Sequence, residues 1–212
     1  MKRIFSVLLA AVLLFSLSAC RNPSPHANDT TAAKPVIYLY PTKPTDISVT
    51  LDFDGALTST YPAYNGGWHV TAYPDGTLYD ADGKAYNYLY WEGKTDTAYD
   101  FSEGFCVEAA DTAAFLEDAL DQLGLTRREA NEFIVYWLPL MEENPYNLIS
   151  FQTDIYTDTA QLHVTPAPDT VIRVFMAWKP SQTAIETKPQ TLKAPNREGF
   201  TLVEWGGAKI ED

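Results

Sequence analysis

Apolar and polar side chains alternate strictly from residue 47 to 53, with Ile47, Val49, Leu51 and Phe53 on one face and Ser48, Thr50 and Asp52 on the other. A period of two is the geometry of a strand buried on one side. β-prone runs at 36–40, 57–61, 68–73, 86–91, 148–153, 162–164, 171–178 and 200–205 carry that character along the chain. Between them lie residues suited to chain reversal, at Asp54-Gly55, Pro74-Asp75-Gly76, Asp82-Gly83 and Pro166-Ala167-Pro168-Asp169. The first half reads as an antiparallel meander.

The period changes in the middle. From Asp111 or Thr112 onward, Phe115, Leu116, Ala119, Leu120 and Leu123 recur on one helix face, with Glu117, Asp118 and Asp121 opposite and Gly124 at the end. Thr126 and Glu129 have capping-box spacing for a second helix that carries Ala130, Phe133, Ile134 and Trp137 and is expected to halt at Pro139. Strands, then a helical hairpin, then strands, without βαβ alternation, predict an α+β fold with a mainly antiparallel β-sheet. In a chain 46% hydrophobic and 13% aromatic, residues 34–212 have the material for a single domain with its own core.

The N-terminus follows another pattern. Lys2 and Arg3 precede a nearly unbroken apolar run over 4–17. That run is too short to span a bilayer needing roughly 20 apolar residues but suits a secretory signal. Leu17-Ser18-Ala19-Cys20 closes it with small residues before a cysteine. The segment resembles a bacterial lipoprotein signal peptide. The resemblance implies cleavage before Cys20, a diacylglyceryl group on its thiol and acylation of the new amine, as by palmitate. Residues 1–19 are then the signal peptide and 20–33 a lipidated cysteine and flexible tether. The tether, RNPSPHANDTTAA with His26 inside it, is polar and aperiodic; as a coil it reaches on the order of 20 Å. Two acyl chains hold stably where one does not. The expected location is the extracytoplasmic face of a cell membrane.

Charge narrows the partners. The chain has 15 basic and 28 acidic residues, net −13; loss of Lys2 and Arg3 with the signal leaves 13 against 28, net −15. Such a surface repels phosphate backbones and anionic head groups, so nucleic acid is not an expected partner and membrane contact is left to the lipid. With Cys20 lipidated, Cys106 has no disulfide partner within the chain.

The blocks KPVIYLYP (34–41), YNYLYWEG (86–93), NEFIVYWLP (131–139), NPYNLISFQT (144–153), IRVFMAW (172–178) and GFTLVEWGG (199–207) resemble those of an uncharacterised family of exported proteins and lipoproteins. That resemblance implies an exported protein and brings no chemistry with it. Arg197-Glu198-Gly199-Phe200-Thr201 is also similar to the REGYTF stretch of small repeats in surface adhesins.

Three constellations are candidates for chemistry. Cys106 with His69 or His163 offers a thiol and an imidazole, the components of a cysteine nucleophile; its apolar neighbours in Gly104-Phe105-Cys106-Val107 read instead as a buried structural thiol. Asp52-x-Asp54-Gly55 and Asp80-x-Asp82-Gly83 suggest calcium, but they lack the EF-hand spacing and read better as turn formers. HExxH, CxxC, GxSxG, SxxK, GxxxxGK and GxGxxG are absent, and no metal or cofactor is expected. The aromatics are more suggestive. Of 28, 12 fall between Tyr61 and Phe105. A strand over 86–91 would set Tyr86, Tyr88 and Tyr90 on one face, with Leu89 and Trp91 on the other. With Leu89 and Trp91 in the core, that tyrosine row is a platform for sugar rings or a partner surface; the alternative is half-buried cross-strand packing. The expected function is binding or envelope interaction, with a polysaccharide or an envelope protein as partner and a cell-wall or polysaccharide hydrolase as the alternative.

Overall fold

The structure, a computed structural model, describes residues 30–211; residues 1–29, and with them Cys20 and His26, lie outside the described part. Strands β1 (Thr30–Tyr40), β2 (Thr45–Phe53), β3 (Ala56–Tyr61), β4 (Trp68–Ala72), β5 (Leu78–Tyr79), β6 (Ala85–Tyr86), β7 (Leu89–Thr95) and β8 (Phe105–Glu108) come first. Helices α1 (Thr112–Gln122) and α2 (Arg127–Met141) follow. The chain ends in β9 (Tyr146–Phe151), α3 (Asp154–Thr159), β10 (Ala160–Thr165), β11 (Thr170–Ser181) and β12 (Thr201–Lys209). The fold is α+β, built on two sheets. One has the order β3-β7-β1-β12-β11-β9-β8, the other β10-β2-β4-β5-β6.

Alternation sets the layers. On β1, Ile37 and Leu39 turn to one side and Val36 and Tyr38 to the other, and all four are buried, so the large sheet is covered on both faces. Its first face meets Ile47, Val49, Leu51, Trp68, Val70 and Leu78 of the small sheet. Its second face meets Leu116, Leu120, Ala130, Phe133, Trp137 and Met141 of α1 and α2. The order is helices, large sheet, small sheet. At about 25 cal/mol per Å² of apolar area, these two seams dominate the favourable side of folding.

Among the described residues every strand pair but one is antiparallel; β11 and β12 run parallel, with Arg173 opposite Glu204. A parallel pair cannot be closed by a tight turn. The polar 182–200 connection makes that return, running beside β8 through Gly104 N to Lys188 O at 2.8 Å. It then brings Arg197 to Glu129 on α2.

The expected side-chain cap at Asp111 is not made at α1, where Thr112 Oγ1 instead donates to Glu108 O at 2.9 Å, whereas α2 starts as its residues dictate. Thr126 N donates to Glu129 Oε2 at 2.7 Å and Glu129 N to Thr126 Oγ1 at 3.4 Å, which closes the capping box. Pro139 does not halt α2, which continues to Met141. Proline there removes the donor to the Val135 carbonyl, and Val135 is 75% exposed, so the loss falls on the solvent side of the helix. At the N-terminal end, β1 begins at Thr30 and pairs Thr30 with Thr95, so strand pairing takes up the last four residues of the expected tether. No described helix is long and apolar enough to cross a membrane.

Candidate functional site

The run 86–91 is not one strand. After the Asp80 turn, β6 pairs Tyr86 with Leu78 in the small sheet, whereas β7 pairs Tyr90 with Val36 and Tyr61 in the large sheet. The chain crosses between sheets at Asn87 and Tyr88, so the period-two row does not exist as drawn. Leu89 and Trp91 are nevertheless fully buried on the side facing the small sheet, as alternation required. Tyr88 and Tyr90 therefore face the helix side, half-buried against that core.

A β-bulge builds the site. Between Ala33 and Val36 the register of β1 slips against both β7 and β12. Lys34 takes φ 60°, the left-handed region that a side chain adopts at a cost. A bulge re-aims the side chain it carries. Here the Lys34 Nζ lies over three tyrosine rings, at 5.3 Å from Tyr88, 5.6 Å from Tyr90 and 5.8 Å from Tyr136 of α2. Lys34 N donates to Glu92 Oε1 at 3.1 Å. Pro35 needs room, and Gly206 of β12 provides it: a Cβ there would sit 3.0 Å from the Pro35 ring and backbone.

The tyrosines continue on either side. Tyr38 meets Tyr88 edge-on at 5.4 Å and stacks with Tyr40 at 6.1 Å. Tyr61, opposite Tyr90 on the outermost strand, is 63% exposed and meets Tyr86 edge-on at 5.5 Å. Tyr86, Tyr90 and Tyr136 hold their protons through the physiological range. The Tyr86 hydroxyl donates to Asp80 Oδ2 at 2.7 Å, which pushes its pKa to about 12. Burial, then the Glu92 carboxylate, raises Tyr90 to about 12, and the same two causes raise Tyr136. Flat rings, neutral donors, one ammonium and one carboxylate suit stacking on an uncharged ring and bonding to its hydroxyls.

The other candidates stand apart. Cys106 lies on β8, the far edge of the large sheet, half-buried rather than buried, and its Sγ accepts from Ile185 N at 3.3 Å. His69 and His163 are exposed on β4 and β10 of the small sheet, and His69 Nδ1 is 2.9 Å from Ser48 Oγ. The fold does not bring the cysteine and a histidine onto one sheet. The Asp80 loop is a turn: Asp80 Oδ1 accepts from Asp82 N at 3.0 Å and Lys84 N at 2.9 Å. Among the described residues no three His, Cys, Asp or Glu converge as a metal site.

Sequence reasoning found Tyr86, Tyr88 and Tyr90 but missed Lys34, Tyr61 and Tyr136. The only local signal was Lys34-Pro35 at the head of an apolar run.

The chain is similar to an uncharacterised protein in the bglA 3' region of Butyrivibrio fibrisolvens, 42% identical over 86 residues, which cover 39% of this chain and 88% of that protein. No family model matches the chain, and no solved structure does.

Proposed function

We propose, for a chain that belongs to the same family as this Butyrivibrio fibrisolvens protein, a binding function: a lipid-anchored extracytoplasmic module that holds a neutral polysaccharide on its tyrosine face. The observation that carries the reading is the convergence of Tyr88, Tyr90 and Tyr136 on Lys34 beside the exposed Tyr61. The α1 and α2 pair, read as a helical hairpin, backs this face and contributes Tyr136. A net charge of −13 disfavours acidic glycans, which leaves uncharged ones. Anchorage through Cys20 would keep the face within tether reach of the membrane.

Affinity electrophoresis through gels containing neutral polysaccharides tests this. Wild type is expected to be retarded, and Tyr61→Ala, an exposed truncation, to lose at least about 1 kcal/mol of binding with its melting temperature unchanged. Equal retardation of Tyr61→Ala and wild type, or none for either, would defeat the reading.

A further inference from the structure

A cavity lies away from the tyrosine face. Edge strand β10 of the small sheet stands off from β11 and β12 of the large sheet and leaves a cleft of about 610 Å³, within the range of small-ligand sites, roughly 300–1,000 Å³. Leu162 and Val164 form one wall, Val171 and Leu202 the other, and Arg173 and His163 also line it. The walls are mainly apolar, with Thr157, Thr165 and His163 among the lining residues. Arg173 is the buried charge there, with a side chain only 8% exposed.

Its guanidinium is half used. Arg173 Nε donates to Glu204 Oε2 at 2.6 Å, and Trp91 Nε1 donates to Glu204 Oε1 at 3.1 Å. Arg173 Nη2 is buried with no hydrogen-bond partner among the described residues. Buried donors are rarely left so, because their lost hydration goes unreplaced. An apolar cleft with a buried, under-used guanidinium is complementary to one kind of molecule.

We propose that this cleft binds a small amphiphile, an apolar chain or ring ended by a carboxylate. The carboxylate accepts from the Arg173 guanidinium in a charge-assisted bond, and the apolar part lies between Leu162, Val164 and Val171. His163 sits at the rim as a further polar contact. The inference does not rest on the tyrosine face. Nor can the protein's overall field supply the preference: at net −13 it favours a cation, so selection of an anion has to come from Arg173.

Titration calorimetry with decanoate, below its micelle concentration, tests the site, with decyltrimethylammonium as a probe of equal chain length and opposite charge. Decanoate is expected to bind saturably and at least about tenfold more tightly than the cation. Val171→Trp, at a wall position 46% exposed, is expected to fill the cleft and weaken decanoate by a similar factor while the melting temperature holds. In wild type, decanoate should shift the His163 ring protons in NMR spectra, a readout that needs no variant. Absence of saturable binding, equal affinity for the two probes, undiminished binding in a folded Val171→Trp, or an unmoved His163 would each overturn the proposal.

Discussion

Arg173 and Glu204 each interrupt the apolar stretch of their strand, and their register on β11 and β12 sets them side by side between the sheets. Attraction between buried charges offsets their desolvation only when the remaining hydrogen bonds are made. Glu204 has both oxygens engaged, and Arg173 also lies over the Tyr156 ring at 4.7 Å. Glu204→Gln leaves the guanidinium buried beside a neutral amide, and a loss of about 3–5 kcal/mol is expected in denaturant unfolding. Arg127→Ala, which breaks a pair with Glu117 at 67% and 47% side-chain exposure, should move stability by less than about 1 kcal/mol. Similar effects for the two would mean that burial does not set the worth of an ion pair here. Both charges are visible in IRVFMAW and TLVEWGG, but their partnership is not. It depends on a parallel register between residues 31 apart in sequence, which no local pattern encodes.

Among the elements, α1 and α2 owe their junction to Gly124. Its φ of +84° lies in the left-handed region, and a Cβ there would come within 2.6 Å of the Ala194 methyl on the 182–200 connection. Gly124→Ala should therefore cost about 1–3 kcal/mol in thermal or denaturant unfolding; an unchanged midpoint would show that the junction relaxes freely. This stop was legible in the sequence because it is local, as were the capping box at Thr126 and the alternation of β2. What escaped was short or depended on neighbours. β5 and β6 have two residues each, too few to show a period. The 86–91 run kept its alternation while its two ends joined different sheets. The tyrosine site was half legible for the same reason: Tyr88 and Tyr90 follow from alternation once Leu89 and Trp91 are in the core. Lys34 depends on a bulge fitted against Gly206, and Tyr136 on the docking of α2.

At the scale of the whole molecule, three layers bury many tyrosines, and that ties stability to alkaline pH. Burial is the main cause that raises the pKa of Tyr38, Tyr99 and Tyr156, with the Glu132 carboxylate adding to it at Tyr38 and Glu204 at Tyr156. The unfolded chain titrates these groups near their ordinary value of about 10. Below that pH both states hold the protons, and these groups give stability no pH dependence. Above it the unfolded chain releases them while the folded chain retains them. Stability must then fall as pH rises, by up to about 1.4 kcal/mol per pH unit for each group, until the folded value is reached. The melting temperature is expected to be level from neutrality to about pH 9.5 and to drop steeply beyond about 10, with the buried tyrosines ionising only as the chain unfolds. Tyr38→Phe removes one of these groups along with its 2.7 Å bond to Glu132, so it should lower stability at neutral pH yet flatten the alkaline fall. If the curve for Tyr38→Phe instead runs parallel to that of wild type, the buried hydroxyl at the centre of the helix-side face is not what couples this fold to pH.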